Sequence, residues 1–141
     1  MKILHSSPAQ LVRTCFLFGL RGSFPSLTVG PHNRLSLAQE RSKDPFARRF
    51  RVHGRDPEVA EVVLDAPMQR WLLAIDPELR VELGGSWMLG HLPKAADDQV
   101  PVVLQQLFGV YLRIPDEAWS RYGWDAVEAV GHQTGDPLAQ R

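Results

Sequence analysis

Between Asp56 and Tyr122 the apolar residues change from the spacing of a helix to that of a strand and back again. A first helix is predicted to begin at Asp56, because its carboxylate can accept hydrogen bonds from free amides and the following Pro57 has no amide to satisfy. Asp65 and Pro67 repeat this signal. The second helix carries an apolar stripe at i, i+3, i+4 and i+7, formed by Met68, Trp71, Leu72 and Ile75. Two consecutive amphipathic helices are therefore expected.

The next segment alternates apolar and polar residues, as a half-buried strand does. Leu79–Leu83 shows this alternation, and Gly84–Ser86 then precedes a second apolar run, Trp87–Leu89. The pattern predicts a β-hairpin with its turn at the glycines. A third helix, capped by Asp97 or Asp98, is predicted to carry an apolar face that runs from Val100 to Leu112. A short fourth helix over residues 116–122 ends near a glycine.

Strand signals also precede the first helix. Arg49–His53 alternates so that Phe50 and Val52 share one face and the cationic side chains share the other. Two weaker runs, Leu27–Val29 and Leu35–Leu37, flank a turn-like cluster at residues 30–33. The order of these elements predicts an α+β fold: a small antiparallel sheet of three to five strands with helices packed on one face.

A chain of 141 residues that is 44% hydrophobic suits a single domain. Residues 1–26 are interrupted by Ser, Pro and Gly, which predicts a loosely ordered basic leader before an α+β domain at 27–133 and a frayed tail at 134–141. The first apolar run, Cys15–Leu20, is far shorter than the roughly 20 residues that span a bilayer. A transit peptide and a misplaced start remain alternatives for the leader.

The total charge of zero hides a strong partition. Residues 1–55 hold ten of the sixteen Lys and Arg but only two of the sixteen Asp and Glu. A basic segment of this kind predicts contact with an acidic protein or an anionic membrane surface. The residues expected to make the contact are Arg41, Lys43, Arg48, Arg49, Arg51 and Arg55. The alternative is internal compensation, in which later acids such as Glu58 and Glu82 lie against the basic face.

Residues that would carry a reaction are not grouped in recognisable motifs. The five histidines do not have the spacing of paired metal ligands, and the single cysteine, Cys15, has no nearby His in sequence to activate it. Gly85 and Gly90 have the separation of phosphate-loop glycines, but Lys and Ser or Thr do not follow. No catalytic residue, cofactor or metal ligand is therefore predicted, and the balanced charge argues against a nucleic-acid binder.

Three short patterns resemble a soluble domain found in uncharacterised actinobacterial proteins. They are F-x-R-R-F-x-V, D-P-x-x-A-x-x-x-L and I-P-x-x-x-W followed by a glycine. The matching residues are Phe46, Arg48, Arg49, Phe50, Val52, Asp56, Pro57, Ala60, Leu64, Ile114, Pro115, Trp119 and Gly123. The family domain often follows N-terminal membrane helices, which this sequence does not show. The resemblance implies no reaction, cofactor or catalytic residue.

The sequence thus favours a non-enzymatic interaction domain, cytoplasmic or peripheral to a membrane, with a basic N-terminal part that contacts an acidic partner. An enzyme is the main alternative, with a site assembled from His53, His91, Asp97 and Asp98. A pocket joining these four would favour that alternative. A structural remnant of a longer membrane protein is the third possibility, and the oligomeric state is not predicted.

Overall fold

A computed structural model describes residues 2–6, 13–32 and 41–124. The elements, in chain order, are β1 (Lys2–Ser6), β2 (Arg13–Pro31), α1 (Pro45–Arg49), β3 (Phe50–Gly54), α2 (Pro57–Val63), α3 (Ala66–Ala74), β4 (Arg80–Pro93), α4 (Val100–Leu112) and α5 (Asp116–Tyr122). Within these ranges, no helix combines the length and hydrophobicity needed to cross a bilayer.

Strand β2 is the centre of a four-stranded antiparallel sheet. β4 pairs along one edge of β2 for most of its length. β1 and β3 share the other edge, β1 at the start of β2 and β3 at its end. The helices pack on one face of this sheet, and the predicted α+β class is confirmed.

The first half of β2 differs from the sequence interpretation. Phe16, Leu20 and Phe24 are buried in the core, although the sequence predicts a loosely ordered leader here. The predicted boundary at residue 27 falls inside β2. The Ser, Pro and Gly residues do not interrupt the strand, and buried residues recur at even spacing through much of it, as a strand requires. Residues 7–12 of the predicted leader, and the predicted tail at 134–141, lie outside the described residues.

The predicted hairpin is wrong, because the chain runs through Gly84–Ser86 as part of the single strand β4. Gly85 adopts a positive φ of 56°, which glycine tolerates, and the pairing with β2 shifts register around Phe24. Glu82 and His91 are nine residues apart, about 30 Å in a straight strand, but their side chains meet at 3.4 Å. β4 therefore bends sharply at its glycines, and the face opposite the helices becomes concave.

The remaining strand predictions are partly correct. Phe50 in β3 is buried and packs on Phe46, with ring centroids 4.8 Å apart. Val52 pairs with Val29 but is 38% exposed, because β3 lies at the sheet edge. The predicted turn at residues 30–33 is wrong for Gly30 and Pro31, which continue β2. The predicted strand Leu35–Leu37 lies outside the described residues.

Among the described residues, helices α2 to α5 were predicted from the sequence, whereas α1 (Pro45–Arg49) was not. Asp56 and Asp65 cap α2 and α3 by accepting hydrogen bonds from backbone amides, as predicted. The cap of α4 was predicted wrongly: Gln99 occupies the position, and neither Asp97 nor Asp98 does. Pro101 removes one of the first amides that an Asp would satisfy. The side chain of Gln99 instead accepts a hydrogen bond from the Ala96 amide.

Candidate functional site

The concave face of the sheet carries two adjoining hollows. The basic hollow, of about 380 Å³, is lined by Thr28, Gly30, Pro31, Arg51, His53, Arg80 and Glu82. The apolar hollow, of about 390 Å³, is lined by Leu17, Ser26, Thr28, Glu82, Leu83, Gly84, Trp87 and Leu89. Thr28 and Glu82 belong to both. The two hollows are therefore parts of one surface, which we call the open groove.

Strand register explains why the basic hollow forms. Thr28 on β2 pairs with His53 on β3 and with Glu82 on β4, and Gly30 pairs with Arg51. Directly paired residues of an antiparallel sheet present their side chains on the same face. Polar side chains from three strands consequently meet on the face that the helices leave open.

Arg80 is the most constrained cation of the hollow. Its side chain lies over Gly30, where an added Cβ would come within 2.7 Å of the guanidinium Nε. This Nε is buried and finds no hydrogen-bond partner among the described residues. A buried donor without a partner costs free energy. Because this Nε is closed to solvent, Arg80 would meet an anion in the hollow through the rest of its guanidinium group.

His91 forms a polar cluster with Arg13 and Glu82 on the same face. The Arg13 guanidinium donates to Nδ1 of His91, with an Nη2 to Nδ1 distance of 2.8 Å. Nδ1 is therefore an acceptor, so Nε2 carries the proton and donates to Glu82 Oε1 at 3.4 Å. Burial, and then the charge of Arg13, lower the pKa of His91, and Arg80 adds to this; the Glu82 carboxylate opposes it.

The lowered pKa of His91 predicts a loss of stability in acid. Below the ordinary value of 6.5, the unfolded chain protonates this imidazole more readily than the folded chain does. The stability that the neutral His91 contributes is fully present above pH 6.5, and it is lost as the pH falls from 6.5 towards the lower pKa of the folded state. We expect the free energy of unfolding to decrease between about pH 7.5 and about 5.5, and to decrease less in His91→Gln. Urea unfolding at both pH values measures this, and equal decreases in the two proteins would contradict it.

The structure separates the six predicted contact residues. Arg41, Lys43, Arg48 and Arg55 lie outside the two hollows, and Arg51 lines the basic hollow. Arg49 is engaged internally: it donates to the carbonyl oxygens of Leu73 and Ile75 at the end of α3 and lies over the Phe50 ring. A cation at this position satisfies free carbonyls and opposes the helix dipole. Arg49 thus stabilises the fold.

Internal compensation of the basic segment is seen only in part among the described residues, since Glu82 lines the same hollow as Arg51 and His53 but forms no ion pair with Arg51. Glu82 pairs with His91, and Glu58 and Glu117 both pair with Arg121. The first of these contacts is a hydrogen bond from a neutral imidazole and the other two are ion pairs, and all three lie within residues 56–141. Among the described residues, the cations from Arg41 to Arg55 therefore form no ion pair with the acids that were expected to balance them.

The residues of the alternative enzyme site do not converge in the hollows described above. His53 lines the basic hollow, while Asp97 and Asp98 are exposed in the turn before α4. Cys15 lies directly across from His91, a proximity that the sequence did not reveal. Both nitrogens of His91 already have partners, so the imidazole has no free nitrogen to activate a thiol. Within the described residues, no group of three His, Cys, Asp or Glu could hold a metal ion.

Comparison with known proteins gives no relative from which a function could be transferred. No protein-family model, no curated protein and no solved structure matches the chain. The resemblance of Phe46–Gly123 to the actinobacterial domain stays a prediction from its short sequence patterns.

Proposed function

We propose that this chain is a non-enzymatic binding domain that holds an anionic group of an acidic partner in the basic hollow. The observation that carries the proposal is that Arg51 and His53 from β3 and Arg80 from β4 line one hollow on the face that the helices leave open. Guanidinium groups form strong, charge-assisted hydrogen bonds with carboxylates and phosphates.

The shape of the site distinguishes between the acidic partners that the sequence predicts. A flat membrane surface would meet the outlying cations, such as Arg41 and Arg48, which are exposed. The basic hollow instead lies on the concave face, where the bend of β4 brings Glu82 and His91 together. This geometry favours an anionic group that projects from its carrier and enters the hollow.

A pair of charge-removing variants tests this function. We expect a hexaglutamate peptide to bind the full chain at low salt and to shift the NMR signals of Arg51, His53 and Arg80. Arg51→Gln with Arg80→Gln removes two charge-assisted donors, each worth about 1.5–3 kcal/mol, so affinity should fall at least about tenfold. The matched control is Arg41→Gln with Lys43→Gln, which removes two charges outside the hollow and should change affinity less than about threefold.

Equal losses in the two double variants would show diffuse attraction to net charge and would contradict the proposal. Because Arg80 packs over Gly30, its replacement can disturb the sheet. The single variant Arg51→Gln, at an exposed position, keeps the test independent of folding. Circular dichroism of each variant shows whether the fold is retained.

A further inference from the structure

We infer that the ligand of the open groove is a small carboxylic acid with an apolar chain, its carboxylate in the basic hollow and its chain in the apolar hollow. This inference rests on the proposed function and specifies its ligand. It depends on the continuity of the two hollows, which share Thr28 and Glu82. A molecule with one charged end and one apolar end matches both parts of the groove at once.

The apolar hollow exposes an aromatic side chain to water. Trp87 is 53% exposed, although strands usually cover such a ring with a cross-strand neighbour. Its partner across the sheet is Gly19, which has no side chain and has open space above it. Leu17 and Leu89 pair beside it and complete an apolar floor. An apolar chain lying here would remove the indole surface from water.

The size of the groove is sufficient for a small molecule. Each hollow measures close to 400 Å³, within the range of about 300–1,000 Å³ typical of ligand sites. Such sites combine an apolar lining with a few placed polar groups that fix the orientation of the ligand. Trp87, Leu17 and Leu89 supply the apolar lining here, and Arg51 and Arg80 supply the polar groups.

Glu82 limits how strongly the hollow attracts a multiply charged anion. Its carboxylate lies at the junction of the two hollows, so a bound anion approaches a negative charge. The repulsion is about twice as large for a doubly charged phosphate as for a singly charged carboxylate at the same place. The Nε2–H of neutral His91 donates to Glu82 but does not cancel its charge. Arg51 and Arg80 also attract a dianion more strongly, so Glu82 offsets part of the advantage that a doubly charged phosphate would have over a carboxylate.

Octanoate titration of the full chain by isothermal titration calorimetry, a readout that does not depend on Trp87, tests the inference. We expect octanoate to bind at least about tenfold more tightly than acetate, which lacks the chain, and than octanol, which lacks the charge. Trp87→Ala should weaken octanoate binding at least about fivefold while leaving hexaglutamate binding unchanged. Trp124→Ala is the matched control, since Trp124 is also exposed but does not line either hollow.

The outcomes separate this inference from the proposed function. If hexaglutamate binding depends on Arg51 but octanoate binds no better than acetate, the inference fails and the proposed function stands. If octanol binds as well as octanoate, the groove is only an apolar patch for such ligands, and the inference fails. Tighter binding of octyl phosphate would overturn the choice of a carboxylate. If neither hexaglutamate nor octanoate responds to Arg51→Gln, both proposals fail.

Discussion

Phe24→Ala is expected to lower the free energy of unfolding by about 3–5 kcal/mol, the usual cost of truncating a buried aromatic residue. Phe24 is only 3% exposed. Its ring meets Trp119 edge to face at a centroid distance of 5.3 Å and Tyr122 at 5.4 Å. The substitution removes the contacts through which β2 holds α5. Domains of this size are stable by about 5–15 kcal/mol, so the loss is a large part of the total.

Phe108→Ala is the matched control for this substitution. Phe108 lies on α4 and is 49% exposed, so its truncation opens no enclosed cavity and should cost less than about 1 kcal/mol. Urea denaturation of both variants measures the difference. Because Phe24 falls within residues 1–26, a loosely ordered leader would instead predict that Phe24→Ala has no effect. Equal, small changes in the two variants would restore that interpretation.

Helices α2 and α3 were predictable because their signals are local, whereas the five-residue helix α1 was not predicted. Asp56 and Asp65 lie next to the amides that they cap, and Met68 and Leu72 are one helical turn apart. Sequence spacing alone therefore reports which face of such a helix is buried. The cap of α4 was missed because three polar residues, Asp97, Asp98 and Gln99, compete in consecutive positions. Local composition does not decide among them.

The sheet was harder to predict because its pairing is between distant residues. Arg13 pairs with Pro93, and Val29 pairs with Val81, so most of β2 depends on a segment more than fifty residues away. Glycines that bend β4 are also the residues that close hairpins. A bend and a turn have the same composition at Gly84–Gly85, and the long partner strand β2 selects the bend. Seen alone, the segment predicts the hairpin.

The candidate site was only partly predictable for the same reason. Arg51 was identified from the charge partition, whereas Arg80, on the polar face of the predicted strand at residues 79–83, was not among the predicted contact residues. Arg51 and Arg80 lie in one hollow because β3 and β4 pair with β2 in a particular register at Thr28 and Gly30. The same register of β4 against β2 places Cys15 across from His91. Charge and periodicity identify such side chains but do not predict which of them meet.

Gly22→Ala is expected to destabilise the domain by at least about 2 kcal/mol, through overpacking between β2 and α5. Gly22 forms an isolated β-bridge with Gly123, directly after α5. An added Cβ would come within 2.4 Å of the Tyr122 carbonyl oxygen and 2.9 Å of the Gly123 Cα. These are backbone atoms, so no side-chain rotation relieves the clash. The end of α5 must move away from the sheet, which loosens the packing of Phe24 against Trp119.

Gly19→Ala is the matched control, because Gly19 lies in the same strand and a Cβ added there would meet no neighbouring atom within 4 Å. The same change in composition should therefore alter the free energy of unfolding by less than about 1 kcal/mol, and it can even stabilise by restricting the unfolded chain. Thermal unfolding of the two variants compares them directly. If Gly22→Ala is as stable as Gly19→Ala, α5 does not dock against β2 at this point. A selective loss in Gly22→Ala would instead show that close backbone contact fixes the last helix to the central strand.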